Sequence, residues 1–288
     1  MANRKLATPS VSLQPSVVAK YLLMPFPYLR RLATVFGFAI VCHAAMAAPL
    51  RSYRTVAAGV PLMVVAVDLN DQHVRVTGMT AAGGSGSAEG FGSMVRRTHP
   101  AFAVTGTYFD PKTRVVLGSL VVDGQLVHHG GYGTGLCLTD DNRCEFGGPY
   151  IRNGRVYWGD YDFVCCSGPR LVRSGRAGVN AGREGFHDHQ LLSPATRAAV
   201  GLTSDNRLVF AATRDKISLP RMAMVMKALG CRNAIELDGG ASLAFYYRGS
   251  YLITPRRPLT NLILVYDRQK QYARFRRRLT HHVGQRPG

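Results

Sequence analysis

Glu236 and Asp238 stand two residues apart in the stretch "IELDGGAS", followed at once by Gly239 and Gly240 and then by Ser242. Side chains alternate faces along a β-strand, so the two carboxylates share one face while Ile235 and Leu237 share the other. The strand rise puts their Cα atoms about 6–7 Å apart. Two carboxylates at that separation, beside backbone that turns sharply and leaves room for a ligand, suit general acid–base work or the stabilisation of a developing positive charge. The same grouping also serves as a plain turn or cap at a strand end.

Two further segments carry polar groups of the same kind. In "SPATRAAVGL" Arg197 enters a strand whose next residues are small. An arginine inside a sheet is costly unless paired, so Arg197 belongs at an exposed edge or against an anion. In "VTGTYFD" the residues Thr105, Thr107, Tyr108 and Asp110 gather around Gly106 at a strand end. His187, Asp188 and His189 in "FHDHQ" have metal-ligand residue types, but on a loop between strands they read as surface polar groups, as do His128 and His129. Trp158, the single tryptophan, reads as a packing residue. No paired C-x-x-C spacing marks a zinc site, and no metal or other cofactor is expected.

The elements that must position these groups are mostly strands. "PLMVVAVDLN" and "HVRVTGM" read as a hairpin, and "GSLVVDGQLV" turns at Asp123-Gly124. "YIRNGRVYWGD" turns at an Asn-Gly pair, and "TRAAVGLTSDNRLVFAAT" alternates around Asp205-Asn206. "CCSGPRLVRSGR" bends at Gly168-Pro169, and "AAGGSGSAEGFG" is a glycine-serine loop. A short helix is expected around Gly92 to Thr98. The strongest helix signal is "SLPRMAMVMKALG", with Ser218 as cap, Pro220 in the first turn and Gly230 as stop. Its Leu219, Met222, Ala223, Met226 and Leu229 fall on one face, a core stripe. The expected fold is a strand-rich single α+β domain with mixed or antiparallel sheets, several hairpins and few helices.

With 46% hydrophobic and 18% charged residues among 288, the chain is globular, not disordered. Residues 1–47 read as an export signal. Arg30 and Arg31 precede an apolar run from Leu32 to Cys42, and Ala45-Met46-Ala47 supplies a small-x-small cleavage site. The segment is either cleaved near Ala47 or Ala48 or kept as an anchor, with translation starting at Met1 or Met24; the protein is then secreted or periplasmic. Residues 48–267 form the domain, and residues 268–288 a basic, solvated tail. The formal charge of +19 falls to +14 without residues 1–47, which hold five basic residues and no acid. Such an excess favours anionic partners, including an anionic cell-envelope surface reached through the tail. No nucleic-acid-binding motif accompanies it. Five cysteines remain after export. Cys137 and Cys144 flank a turn-rich centre and are expected to pair, and Cys165 or Cys166 is a partner for Cys231.

The succession "VTGTYFDP", "GSLVVDGQLV", "SGPRLVRSGR", "SPATRAAVGLTSDNRLVFAAT", "GCRNAIELDGGASLAFYYRG" and "RRPLTNLILVYD" resembles the phosphodiester glycosidase family over roughly Leu62 to Tyr266. That family includes the lysosomal enzyme that uncovers mannose 6-phosphate by removing N-acetylglucosamine, and bacterial proteins described as exopolysaccharide biosynthesis proteins. Asp238, Gly239, Gly240 and Ser242 match its Asp-Gly-Gly-x-Ser run, and Arg197 its arginine before a valine-glycine strand. Gly106, Tyr108 and Phe109 match its Asn-Gly-Gly-aromatic-Phe turn, and Gly168 and Pro169 its Gly-Pro strand. Thr105 replaces the usual asparagine and Thr107 the usual glycine, and Glu236 stands where asparagine is frequent.

The resemblance implies a hydrolase that cleaves a sugar-1-phosphodiester at the anomeric carbon, in a phosphate-bearing glycan. Phosphate is already a good leaving group, so the chemistry needs a cation on the phosphate and a carboxylate near the sugar. Arg197 is the expected cation. Asp238 is the first candidate carboxylate and Glu236 the second. Thr105, Gly106, Thr107, Tyr108, Asp110, Gly168, Gly239, Gly240 and Ser242 are the expected substrate-binding residues. The alternative is a non-catalytic glycan-binding or assembly factor in exopolysaccharide biosynthesis.

Overall fold

The computed structural model describes residues 48–152 and 155–280. The expected signal, with Cys42, and the last eight residues of the tail lie outside the described residues. Within them the ladders between strands are all antiparallel, in three main sheets. The first has seven strands, ordered Leu50–Ala57, Val60–Asp68, Arg207–Ile217, Ala195–Thr203, Cys231–Leu237, Arg170–Arg173 and Arg176–Ala177. The second has five, from Gln125–His128 through Leu120–Val122, Phe163–Ser167 and Thr134–Leu138 to Cys144–Gly147. The third runs Ser250–Ile253, Phe245–Tyr247, Phe102–Thr105, Asn261–Tyr266 and Arg75–Thr80.

Alternation decides which side of the seven-stranded sheet each residue serves. Val65, Ala198, Val200, Ile235 and Leu237 enter the main core shared with the other two sheets. Val64, Ala199 and Ala234 enter a second core beneath the helix Leu219–Ala228. That helix is capped as expected: Ser218 accepts a hydrogen bond from the Arg221 N–H. The turn at Asp123-Gly124 holds both residues at positive φ (55° and 71°), the conformation of a two-residue hairpin loop.

Three expectations need correction. "PLMVVAVDLN" and "HVRVTGM" do not form a hairpin. Val60–Asp68 pairs with Leu50–Ala57 and Arg207–Ile217, while Arg75–Thr80 pairs with Asn261–Tyr266 in another sheet. Both strands are apolar on two faces, and a two-faced strand needs two covering layers, which a lone hairpin lacks. Cys137 and Cys144 do not pair. The hairpin register sets Cys144 opposite Leu138 and Cys137 opposite Glu145, so their side chains leave opposite faces of the sheet. No disulfide links Cys231 to Cys165 or Cys166 either: Cys165 lies in the main core, Cys166 in a small cluster with Cys137 and Trp158, and Cys231 under the long helix.

The third correction concerns the tail. Gln269–Phe275 is a helix, followed by a tight turn at Arg276–Arg278. Tyr272, Phe275 and Leu279 are buried. The Leu279 carbonyl accepts the Thr80 N–H at 2.9 Å, and the Tyr272 hydroxyl donates to Asp123 at 2.9 Å. The domain therefore continues to Leu279, because every third or fourth residue of this stretch is apolar and sits on the core-facing side.

Candidate active site

Three chain segments from two sheets meet at one cleft. Cys231–Leu237 leads to Asp238, its neighbour Ala195–Thr203 carries Arg197, and the turn after Phe102–Thr105 carries Thr107 to Asp110. The Asp238 N–H donates to the Gly106 carbonyl at 2.9 Å, which ties the first of these segments to the third. Two glycines make the approach possible. A Cβ at Gly106 would collide with Asn261 Oδ1, and one at Gly239 would sit 2.6 Å from the Thr196 carbonyl oxygen. Asn261 holds the turn from the other side: its Oδ1 accepts the Thr107 N–H at 2.8 Å and its Nδ2 donates to the Thr107 carbonyl at 3.0 Å.

The cleft has a volume of about 590 Å³, within the range of small-molecule sites. Four buried polar atoms on its lining residues have no hydrogen-bond partner: Thr107 Oγ1, Ser167 Oγ, Glu236 Oε2 and Asp238 Oδ2. Buried polar groups are normally paired, because an unpaired one costs about 1–3 kcal/mol. Four such atoms in one cleft mark a place where a ligand or water completes the bonding. Tyr108, Phe186 and Tyr132 form an aromatic wall, with Tyr108 meeting Phe186 edge to face at 5.9 Å.

Arg197 and Glu236 form a buried ion pair at 3.1 Å, each almost fully enclosed. Ala199 lies opposite Glu236 in the ladder, so Arg197, two residues along on the same face, reaches it diagonally. The remaining guanidinium donors go to carbonyls: Nε to Ile217 at 2.7 Å, and Nη2 to Leu191 at 3.2 Å and Ser193 at 2.7 Å. Burial raises the Glu236 carboxyl above its ordinary range, and Arg197 pulls it back. Asp238 is pushed up to about 6 by burial, against the Ser242 hydroxyl, Arg257 and the Gly239 N–H. Burial, then the two carboxylates, hold the Tyr108 hydroxyl well above its ordinary value. It stays protonated and donates to the Gly168 carbonyl at 2.6 Å.

Among the expected residues, Arg197, Glu236, Asp238, Thr107, Tyr108, Asp110, Gly239 and Gly240 line the cleft. Thr105, Gly106, Gly168 and Ser242 are not on its lining; three of them hold residues that are, the Gly106 carbonyl accepting the Asp238 N–H, the Gly168 carbonyl the Tyr108 hydroxyl and Ser242 Oγ the Arg257 Nε–H. Asp110 caps its own turn, accepting the Lys112 and Thr113 N–H groups. His187 and Asp188, read from the sequence as surface groups, lie on the cleft rim, while Asp188 also caps the short helix His189–Leu192. Trp158 is a packing residue, buried with Cys137 and Cys166.

Ser167, Phe186, Tyr132 and Arg257 were not singled out. Arg257 lies in "TPRRPL", where Pro255 and Pro258 stiffen a loop that presents two adjacent arginines, a signal that could have been read. Its Nε donates to Ser242 Oγ at 2.7 Å, its guanidinium lies 4.6 Å over the Phe109 ring, and Nη2 stands 3.8 Å from Asp238 Oδ2.

Comparison with known proteins agrees with this fold. The catalytic domain of zebrafish N-acetylglucosamine-1-phosphodiester alpha-N-acetylglucosaminidase, auto-inhibited by its pro-peptide, superposes with a TM-score of 0.65 at 20% identity, covering 78% of this chain and 85% of that one. A hypothetical protein from Synechocystis superposes with a TM-score of 0.61 at 14% identity, covering 75% of this chain; the chain spans 61% of that protein's length. No curated protein sequence matches. The profile of the family described as phosphodiester glycosidase matches residues 98–266. The matched span takes in more than half of the chain and every cleft residue from Thr107 to Arg257, and the chain belongs to the phosphodiester glycosidase family.

Proposed function

We propose that the cleft hydrolyses a sugar-1-phosphodiester within a phosphate-bearing glycan. The observation that supports this best is the convergence of four unpartnered buried polar atoms, two of them carboxylate oxygens, in one cleft. Thr107 and Ser167 offer hydroxyls to the sugar. Asp238, ionised above about pH 6, stands beside the anomeric carbon. As the bond from that carbon to the phosphate oxygen breaks, its electron pair leaves with the phosphate, and the carboxylate stabilises the oxocarbenium-like sugar. Water adds at the anomeric carbon and its proton passes to a carboxylate. Glu236, held by Arg197, is the second carboxylate of the pair.

The chemistry named for the zebrafish relative makes α-linked N-acetylglucosamine 1-phosphodiesters the first substrates to assay. Purified protein incubated with a panel of sugar-1-phosphodiesters should release the free sugar, and Asp238→Ala should abolish release while retaining the fold. Retained glycan binding without cleavage of any member would favour a glycan-binding or assembly factor instead.

Export to a secreted or periplasmic location is part of the same proposal and rests on the sequence of residues 1–47. Contact with an anionic envelope surface belongs to it too, and rests on the exposed Arg268, Lys270, Arg274 and Arg277.

A further inference from the structure

We infer that Arg257, and not Arg197, is the cation that receives the substrate's phosphate; this rests on the sugar-phosphodiester reading of the cleft. A guanidinium grips a phosphate through two parallel N–H groups on one edge, out of five in all. Arg197 directs four of its five to Ile217, Glu236, Leu191 and Ser193, and its side chain is 3% exposed. One N–H remains, too few for a bidentate grip. Arg197 is a positioning residue: it fixes Glu236 and the chain around it.

Arg257 has the opposite disposition. Its side chain is 29% exposed on the cleft lining. Its Nε is occupied by Ser242 and its plane is stacked on Phe109, while neither Nη has a protein acceptor within hydrogen-bond distance among the described residues. The loop is held in place as well: the Arg256 N–H donates to the Ala241 carbonyl at 2.8 Å, and prolines flank the arginine pair. The guanidinium is thus oriented before any ligand arrives, which limits the entropy lost on binding.

Its location matches where charge develops. Nη2 lies 3.8 Å from Asp238 Oδ2, beyond a hydrogen bond, so a phosphate on the Nη edge sits beside the carboxylate that faces the sugar. A phosphodiester carries one negative charge, and the phosphate monoester released carries more. The attraction of Arg257 therefore grows as the bond breaks, and it contributes to kcat as well as to binding. The approach of Arg257 to Asp238 serves the same end, because the cation favours the ionised carboxylate.

The test uses two readouts on the wild type, Arg257→Ala and Arg257→Lys, with thermal melting as the check on folding. Calorimetric titration with inorganic phosphate should show binding by the wild type that falls at least tenfold in Arg257→Ala and is partly restored in Arg257→Lys. Turnover of a sugar-1-phosphodiester should fall about 10²–10³-fold in kcat in Arg257→Ala, the loss typical of removing one group that stabilises transition-state charge. Phosphate binding that is absent from the wild type, or unchanged in Arg257→Ala, overturns the assignment. Arg257-dependent phosphate binding without turnover of any diester leaves the assignment standing and removes the hydrolase reading.

Discussion

Asp238 follows its strand with one carboxylate oxygen held by the Gly239 N–H at 2.9 Å and the other without a hydrogen-bond partner, 3.8 Å from Arg257. Burial raises it from 3.8 to about 6, which fixes the sign of two expectations. In the unfolded chain the group ionises near pH 4, in the folded protein near pH 6. Between those values the folded state holds the extra proton, so stability present at low pH is lost as pH rises through 6. Asp238→Asn removes this loss. Its melting temperature should exceed that of the wild type by a margin that widens from pH 4 to 6 and then levels, worth about 2–3 kcal/mol at pH 7. The activity of the wild type should rise over the same interval, with an acid limb in kcat/KM near pH 6, while Asp238→Asn stays inactive. A margin independent of pH would contradict the buried-carboxylate account. Asp238 and Glu236 were legible in the sequence because strand alternation and the following glycines are local features. For Arg257 only the proline-flanked arginine pair was legible; which of the two enters the cleft was not, because Phe109, on which it stacks, is about 150 residues away in the chain.

At the scale of elements, the Arg197 side chain joins the strand Cys231–Leu237, the end of Arg207–Ile217 and the short helix His189–Leu192. Removing one partner of a buried ion pair leaves the other uncompensated, at about 3–5 kcal/mol. Arg197→Ala should therefore lower the unfolding free energy obtained from urea titration by that amount, and amide exchange should speed up first between His189 and Ser193. Substitution at Gly106 tests the other junction. An alanine there meets Asn261 Oδ1, so Gly106→Ala should cost about 1–3 kcal/mol and weaken substrate binding by moving Thr107, while Gly178→Ala, which like Gly106 is not at positive φ and whose Cβ meets nothing within 4 Å, serves as the control. The hairpins at Asp123-Gly124 and Asp205-Asn206 were readable because the turn residues and both strands lie within one short window. Of the partners of Val60–Asp68, Leu50–Ala57 lay within reach of a local reading, and Arg207–Ile217 did not, because more than a hundred residues separate the two strands.

At the scale of the whole molecule, the chain from Arg268 onward combines two properties that a reading by composition alone could not separate. Its cations face outward, while Tyr272, Phe275 and Leu279 seal the main core and the edge next to Asp123 and Thr80. Arg276 adds an ion pair to Asp123 at 2.7 Å, a contact at the surface and worth little by itself. Burial of three large side chains contributes about 1.5–3 kcal/mol each, which is comparable to the whole stability margin of many domains. A chain ending at Asp267 should consequently express poorly or melt far below the full chain, and loss of its activity or of its binding to anionic vesicles would say nothing about the cations. Leu279→Ala, fully buried in the native chain, should by itself cost about 2–5 kcal/mol. Charge reversal at Lys270, Arg274 and Arg277 separates the two properties, because these side chains are exposed. The triple variant should keep its melting temperature and its turnover of a small soluble phosphodiester, and should lose sedimentation with anionic vesicles at low salt. A variant that still sediments as the wild type does would locate the anionic contact elsewhere on the surface, and one that melts early would show that the tail's basic face is part of the fold.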